Sequence, residues 1–105
     1  MTRGEVWWAE LPKPIGRRPV LLLSRDEAYR VRAKVTVAPV TTRIRGMPAE
    51  VELDRHDGMP KPCAANLDSI ATVRKSALVK RQTRLSLTRM REVERAIHFA
   101  LGLES

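Results

Sequence analysis

The sequence predicts one small α+β domain over residues 1–105, in which a β-sheet or barrel of short strands is followed by a single helix. Three observations support this fold class. The first two thirds of the chain alternates apolar or β-branched segments with turn residues, the last segment has helical periodicity, and 105 residues suffice for one compact domain. Strands first and a terminal helix last are typical of an α+β fold or a helix-decorated barrel.

The strands predicted in the N-terminal half are separated by proline-containing or polar connections. Glu5–Glu10 is a short strand that ends before residues 11–14, where two prolines cannot continue a ladder. Pro19–Ser24 is a nearly continuous apolar run, which predicts a strand buried on both faces. Arg25–Arg30 is polar and is expected to form one helical turn, and Lys34–Val40 is a strand rich in β-branched residues.

The middle of the chain alternates exposed loops with short strands. Thr42–Pro48 carries basic and turn-forming residues and is expected to be an exposed loop. Glu50–Leu53 alternates polar and apolar residues, as in a half-buried strand. Asp54–Pro62 contains an Asp-Gly step and two prolines, which indicates a turn-rich loop. The short strands expected to complete the sheet lie around Ala64–Leu67, Ile70–Val73 and Gln82–Leu85.

The C-terminal segment is predicted to be one amphipathic helix that packs on the sheet. Its apolar residues at helical spacing are Met90, Val93, Ile97 and Leu101, with Ala96 and Ala100 beside them. Thr88 is expected to cap the start of the helix, and Gly102 is expected to mark its end.

The charge of the chain indicates a polyanionic partner. The net charge is +8, which favours binding to nucleic acid, an acidic membrane surface or an acidic protein, although a basic surface can also serve solubility alone. A single cysteine, Cys63, excludes an internal disulfide and favours a reducing, cytoplasmic setting. The longest apolar run is far too short for a membrane span, so a soluble protein without membrane association is expected.

The residues give little support to metal, cofactor or thiol chemistry. Cys63, His56 and His98 lack paired metal-ligand spacing, and there is no nucleotide-binding glycine motif, so no metal or cofactor is expected. Cys63 is either a nucleophile or, as we favour, a small buried residue. His56 is either a general base or, as we favour, a solvated loop residue.

Trp7 and Trp8 follow one another in the first predicted strand. Successive strand residues point to opposite faces, so at most one of the two is expected in the core. The other is either a platform for a nucleobase or part of a subunit contact, and the subunit contact is slightly favoured.

Several segments together resemble the MazF/PemK family of endoribonuclease toxins. The three main ones are Arg3–Trp8 (RGEVWW), Arg18–Ser24 (RPVLLLS) and Val37–Thr42 (VAPVTT). Weaker matches lie at Ala49–Leu53 and Asn66–Ile70. Each motif is short, but their order and spacing extend the resemblance over almost the whole chain.

This resemblance implies a fold, an activity and partners. The fold is a small SH3-like or CcdB-like β-barrel with a C-terminal helix, usually a homodimer. The activity is metal-independent cleavage of single-stranded RNA that leaves a 2′,3′-cyclic phosphate and a 5′-hydroxyl. Such toxins are normally neutralised by an antitoxin whose acidic C-terminal segment occupies the RNA groove. The family's catalytic arginine corresponds to Arg18, directly before a proline, and its catalytic threonine to Thr41, the first threonine after the Pro-x step.

Physical chemistry suits these two assignments. Pro19 holds the backbone of Arg18 extended, and a guanidinium presents a fixed fork of donors to phosphate oxygens. Thr41 can donate its hydroxyl to the same phosphate, while the 2′-hydroxyl of the RNA is the nucleophile. Many relatives have an acidic residue in the loop before the arginine, but the loop 12–17 has none. The acid role then falls to Arg18 alone or to Arg18 together with Arg17.

Further residues are expected to bind RNA: Arg17, Thr42, Arg43, Arg45, Asn66, Asp68 and Ser69. The arginines would follow phosphates, and the last three would contact the edges of splayed bases. Ser69 and Ala71 differ from many relatives, so the cleavage sequence cannot be carried over. A second basic cluster is either a solvated face or a track for RNA or antitoxin, and comprises Arg74, Lys75, Lys80, Arg81 and Arg84.

Two other functions fit the same sequence. The first is a CcdB-like toxin that binds a topoisomerase and does not use the Arg18–Thr41 pair. The second is a basic barrel that binds RNA without cutting it.

Overall fold

The computed structural model describes residues 1–103 as one bent antiparallel sheet with a helix packed across it. The strands are β1 Glu5–Glu10, β2 Arg17–Leu22, β3 Lys34–Thr41, β4 Glu50–Leu53, β5 Cys63–Asn66, β6 Ala71–Arg74 and β7 Leu78–Arg84. The helices are α1 Ala28–Val31 and α2 Leu87–Ala100. The α+β fold class is confirmed, and the term barrel applies loosely because the sheet is not closed. Neither helix is long and apolar enough to span a bilayer.

Strand β3 organises the sheet, since it has neighbours along both edges. One edge pairs with β2, which is followed outward by β1 and then β7. The other edge pairs first with β6, through residues 34–37, and then with β5, through Val40 and Thr41. Strand β4 lies outside β5. The end of β3 therefore lies between β2 and the β4–β5 pair, and the two side chains predicted to be catalytic, Arg18 and Thr41, meet at this point.

The sheet covers a hydrophobic cluster on each face. Val6, Leu21 and Ala38 belong to the cluster beneath α2, whereas Val20 and Leu22 belong to the cluster on the other face. Consecutive residues of β2 thus alternate between two cores, and this confirms the prediction of a strand buried on both faces. A fully buried leucine or valine contributes about 1.5–3 kcal/mol. This packing holds the second half of β2, residues 20–22, in place.

The last strand begins earlier than the sequence indicated. It was predicted at Gln82–Leu85, but β7 begins at Leu78 and ends at Arg84. Strand β7 pairs with β1 alone and leaves Val79, Lys80 and Arg81 exposed. A polar edge strand lacks the apolar signal on which the prediction rested.

The start and the apolar face of α2 also differ from the prediction. The cap is Ser86, whose Oγ accepts a hydrogen bond from the Arg89 N–H at 3.2 Å, and Thr88 lies inside the first turn. Leu101 is exposed, because the helix ends there and Gly102 turns the chain away with a φ of +67°. The buried residues of α2 are Met90, Val93 and Ala96, with Ile97 and Ala100 partly buried beside them.

A polar cluster fastens the loop 54–62 to β7 and α2. The Asp57 carboxylate accepts hydrogen bonds from Arg89 Nε and from the Asp54 N–H, both at 2.9 Å. Thr83 Oγ1 donates to the Asp57 carbonyl oxygen at 2.9 Å. Gly58 follows with a φ of +88°, and a Cβ there would overlap Thr83 Oγ1. Only glycine fits this tight turn.

We expect Asp57→Asn to lower the free energy of unfolding by about 2 kcal/mol at pH 7, the typical contribution of a charged hydrogen bond. Burial raises the pKa of Asp57, but the hydrogen bonds from Arg89 and Asp54 outweigh burial, and the pKa lies below its ordinary value of 3.8. A depressed folded-state pKa stabilises the protein above the unfolded-state pKa, and this stabilisation is lost as the pH falls through the folded-state pKa. Urea unfolding at pH 7 and pH 3 should show the difference between wild type and variant shrinking at the lower pH.

Glu94→Gln is the matched control for this measurement. It removes one carboxylate from an exposed ion pair with Arg3, in which the two atoms lie 3.6 Å apart. Exposed pairs contribute little, so its effect should stay below about 1 kcal/mol. Equal effects of the two substitutions would contradict a structural role for the Asp57 cluster.

Candidate functional site

Arg18 and Thr41 lie side by side where β2 begins and β3 ends. The ladder between these strands ends at the pair Val20–Pro39, and extending its register by two residues sets Arg18 opposite Thr41. Directly opposite residues in antiparallel strands project from the same face. Both side chains are partly exposed, and both line one cleft of about 250 Å³.

Three parts of the chain form the walls of this cleft. Trp8, Arg17, Arg18 and Pro19 come from β1 and β2, and Val40, Thr41 and Thr42 come from the end of β3. Met59, Pro60, Lys61 and Cys63 come from the loop 54–62 and the start of β5. Of the predicted site residues, the structure brings Arg17, Arg18, Thr41 and Thr42 together here.

Small residues flank the two polar side chains within the sheet. Ala9 pairs with Arg18 on one side, and Ala64 pairs with Thr41 on the other. Both alanines are fully buried.

The two arginines of the cleft differ in their surroundings. Arg17 Nη1 is 3.5 Å from Glu10 Oε1, and the Arg17 guanidinium lies 5.5 Å from the centre of the Trp8 ring. Arg18 makes no ion pair and no side-chain hydrogen bond with any of residues 1–103. Its five donors therefore remain available to an anion in the cleft.

The Thr41 hydroxyl accepts one hydrogen bond within the fold, and its own hydrogen is not used in that bond. Its Oγ1 accepts a hydrogen bond from the Arg43 N–H at 3.1 Å. A hydroxyl carries one hydrogen as well as its lone pairs, so the hydrogen can still be donated into the cleft. The turn after β3 thereby orients a donor beside Arg18.

Cys63 is a buried residue at the cleft, as the sequence analysis favoured. It is 4 % exposed, and burial together with the nearby Asp57 and Asp54 raises the pKa of its thiol. A protonated, buried thiol is a poor nucleophile.

The histidines are both exposed. The His56 side chain is 97 % exposed, with its Nδ1 3.5 Å from Asp54 Oδ1, and His98 lies on the outer face of α2. The solvated reading of His56 is confirmed. Within residues 1–103, no three side chains of the metal-ligating types Cys, His, Asp and Glu form a group that could hold a metal ion.

The other residues predicted to bind RNA lie outside the cleft. Arg43 and Arg45 are exposed on the loop after Thr41. Glu50 Oε1 holds this loop by accepting hydrogen bonds from the Arg45 N–H at 2.9 Å and from the Gly46 N–H at 3.0 Å. The loop therefore presents both arginines to solvent beside the cleft entrance.

Asn66 is the last residue of β5, at the opposite end of that strand from Cys63, and Asp68 and Ser69 lie in the helical turn that follows. The Asn66 side-chain oxygen accepts a hydrogen bond from the Asp68 N–H at 2.9 Å, which caps the turn. Asp68 and Ser69 are exposed. The structure does not bring these three residues into the cleft with Arg18 and Thr41.

Sequence reasoning missed part of the cleft. The sequence left open which tryptophan lies outside the core, and the structure packs Trp7 against the second hydrophobic cluster and places Trp8 in a cleft wall. A subunit contact for Trp8 stays a prediction. Met59, Pro60 and Lys61 lay in a segment identified only as a loop. The Glu10 carboxylate near Arg17 was also missed, because it belongs to β1 and precedes the loop 12–17 in sequence.

The second basic cluster is partly engaged within the fold. Arg81 Nε donates to Glu5 Oε2 at 3.0 Å, and Lys75 Nζ donates to the Tyr29 carbonyl oxygen at 2.7 Å. Arg74, Lys80 and Arg84 are exposed on β6 and β7.

Comparisons with known proteins agree with the fold and with the sequence motifs. Residues 2–101 match the model of a family described as PemK-like, MazF-like toxin of type II toxin-antitoxin system. The chain is 47 % identical over 100 residues to the probable endoribonuclease MazF5 of Mycobacterium tuberculosis, covering 94 % of this chain and 91 % of that protein. It is 33 % identical over 114 residues to the endoribonuclease MazF of Staphylococcus saprophyticus, covering 100 % of this chain and 94 % of that protein.

Solved structures resemble the whole chain. The Mycobacterium tuberculosis toxin MazF-mt6 superposes with a TM-score of 0.88 at 30 % identity, covering 96 % of this chain and 99 % of that one. A mycobacterial endoribonuclease, solved in complex with its cognate antitoxin, also gives a TM-score of 0.88, at 27 % identity and with coverage of 100 % and 98 %.

We expect Cys63 to react with a disulfide reagent at least about tenfold more slowly in the native protein than in denaturant at pH 8, since burial and a raised pKa both limit the thiolate. Ellman's reagent, with and without guanidinium chloride, measures both rates. The chain has one cysteine, so the signal has one source. Equal rates would contradict the buried, protonated thiol.

Proposed function

The chain belongs to the family of PemK-like, MazF-like toxins of type II toxin–antitoxin systems, and on this premise we propose that it is a metal-independent endoribonuclease that cuts single-stranded RNA. The observation that carries this proposal is the pair formed by Arg18 and Thr41, two donors that share one cleft. The expected products are a 2′,3′-cyclic phosphate and a 5′-hydroxyl.

In the proposed reaction a backbone phosphate of the RNA lies between Arg18 and Thr41. The neighbouring 2′-oxygen bonds to phosphorus as its proton passes to solvent water, and the bond from phosphorus to the 5′-oxygen breaks as that oxygen takes a proton from the Arg18 or Arg17 guanidinium. Solvent then returns a proton to the guanidine. Negative charge on the phosphate oxygens increases in the five-coordinate transition state. The Arg18 guanidinium donates two parallel hydrogen bonds to these oxygens, and the free hydrogen of Thr41 donates a third.

The remaining cations have supporting roles in this proposal. Arg17 is held beside Trp8 and Glu10, so it is placed to share the acid role with Arg18 at the leaving oxygen. Lys61, on the opposite wall, contacts an adjacent phosphate. Arg43 and Arg45 bind phosphates of the RNA strand outside the cleft, and salt therefore weakens their contribution to RNA binding.

The predicted base-reading residues Asn66, Asp68 and Ser69 take a different part in the proposal. Since they lie outside the cleft, they would contact bases several nucleotides from the cleaved bond, where single-stranded RNA continues over β5. The RNA sequence that is cleaved would then depend on residues at both ends of β5.

The proposed partners follow from the charge of the cleft and from the family. A cognate antitoxin would neutralise the protein by placing an acidic C-terminal segment across Arg17, Arg18 and Lys61, in competition with RNA. One similar endoribonuclease is known in complex with its cognate antitoxin. We place the action of the protein in the cytoplasm, where its RNA is, and retain the homodimer as a prediction.

Cleavage without metal is tested with purified protein and an unstructured RNA in EDTA. We expect fragments that carry a 2′,3′-cyclic phosphate and a 5′-hydroxyl, identified by end-group analysis. An otherwise identical substrate with a single 2′-deoxy nucleotide at the cut should remain intact, because it lacks the nucleophile. A requirement for divalent metal, or equal cleavage of DNA, would contradict the mechanism. Binding without cleavage would favour the non-cleaving barrel, and neither binding nor cleavage would favour the topoisomerase inhibitor.

The roles of the two donors are tested by Arg18→Ala and Thr41→Val. We expect each to lower the single-turnover cleavage rate by about 100- to 1,000-fold, the usual loss for one preorganised donor. Thr41→Ser keeps the hydroxyl and should retain most of the rate. Arg32→Ala removes an exposed arginine near the other end of β3 and should leave cleavage unchanged. If Arg32→Ala and Arg18→Ala had similar effects, Arg18 would have no special role.

A further inference from the structure

Gln82 connects the two walls of the cleft. Its Oε1 accepts a hydrogen bond from Trp8 Nε1 at 2.9 Å, and its Nε2 donates one to the Gly58 carbonyl oxygen at 2.9 Å. We propose that Gln82 is a positioning residue, which fixes the Trp8 indole relative to the loop carrying Lys61 and thereby sets how tightly the cleft holds a nucleotide. This inference rests on the proposed function.

The two contacts require a side chain that both accepts and donates a hydrogen bond. An indole N–H can only donate, and a backbone carbonyl oxygen can only accept. A side chain between them must accept on one side and donate on the other. The planar amide of Gln82 accepts through its oxygen and donates through its nitrogen, so the two hydrogen bonds also fix the orientation of the amide.

The backbone of β7 is shaped to direct this side chain. Thr83 pairs with Val6 and Arg81 pairs with Trp7, which leaves Gln82 as an extra residue between consecutive pairs. Such a bulge re-aims a side chain away from the regular alternation of a strand. Here it turns the amide of an edge strand towards the cleft walls.

The loop end of the connection is itself rigid. Thr83 holds the Asp57 carbonyl oxygen at 2.9 Å, and Gln82 holds the next carbonyl oxygen, that of Gly58. Neighbouring residues of β7 thus bind neighbouring carbonyls of the loop. Met59, Pro60 and Lys61 follow directly and line the cleft. Movement of Gln82 would therefore change both walls at once.

The two walls offer complementary contacts to a single nucleotide. Trp8 presents an aromatic surface on which a base can stack, and Lys61 presents a cation to a phosphate. Arg18 and Thr41 belong to strands that do not contact Gln82 through a hydrogen bond. Loss of Gln82 should thus weaken substrate binding and leave the charge stabilisation of the transition state in place.

The test compares Gln82→Met with wild type in two assays. The first measures kcat and KM on a short RNA that spans a mapped cleavage site, and the second measures the Kd of the all-deoxy oligonucleotide of that sequence. Methionine has a similar length and lacks the amide. We expect KM and Kd to rise about five- to tenfold, as for one or two lost hydrogen bonds, with kcat within about twofold.

Two further variants separate positioning from folding. Ser24→Ala removes a comparable hydrogen bond, 2.8 Å long, from the Thr36 N–H to Ser24 Oγ at the far end of β2, and should leave KM and Kd unchanged. Trp8→Phe should weaken binding as Gln82→Met does. In the double variant, the factor by which Kd rises should be smaller than the product of the two single-variant factors, because Gln82 acts through Trp8.

Each outcome decides the inference. Unchanged KM and Kd in Gln82→Met, even with a lower Tm, would overturn it, and so would equal losses in Ser24→Ala. If wild type binds the oligonucleotide but cuts no RNA, the proposed function fails while the Kd comparison still decides the role of Gln82. If wild type binds neither nucleic acid, both proposals are overturned.

Discussion

The pairing of β2 with β3 is the constraint on which the site depends. The register that joins Val20 to Pro39, extended by two residues, sets Arg18 opposite Thr41, so a shift by one residue would place their side chains on opposite faces of the sheet. This register is held by packing on both faces, because Leu21 belongs to one buried cluster and Leu22 to the other. Two hydrophobic cores thus fix the relative position of two polar groups that contribute little to stability.

A second constraint fixes the remaining wall of the cleft. The loop 54–62 is anchored by Met59, which is buried in the cluster beneath α2, by the Asp57–Arg89 ion pair, and by the hydrogen bonds from Thr83 and Gln82. The ion pair ties the loop to α2, and the other two bonds tie it to β7. A helix on one side of the sheet and an edge strand therefore both help to define a site to which neither contributes a lining residue.

Much of the fold and the centre of the site were predictable from sequence, because both depend on local signals. Apolar runs predicted β2 and β3, and the Arg-Pro and Pro-x-Thr motifs pointed to Arg18 and Thr41. The predicted range of the edge strand β7 was too short, because its exposed polar residues carry no apolar signal. The cleft positions of Lys61 and Trp8 and the proposed role of Gln82 depend on contacts between residues far apart in sequence, as in the Trp8–Gln82 hydrogen bond. No periodicity or short motif reports such contacts.

The central claim is that Arg18 and Thr41 act together on one phosphate. A double-mutant cycle tests it directly, with single-turnover cleavage of RNA measured in EDTA for wild type, Arg18→Ala, Thr41→Val and the double variant. Groups that stabilise the same transition state are strongly non-additive, so the double variant should be little slower than the slower single variant. A double variant whose loss equals the product of the two single losses would show that the residues act independently, and would contradict the account.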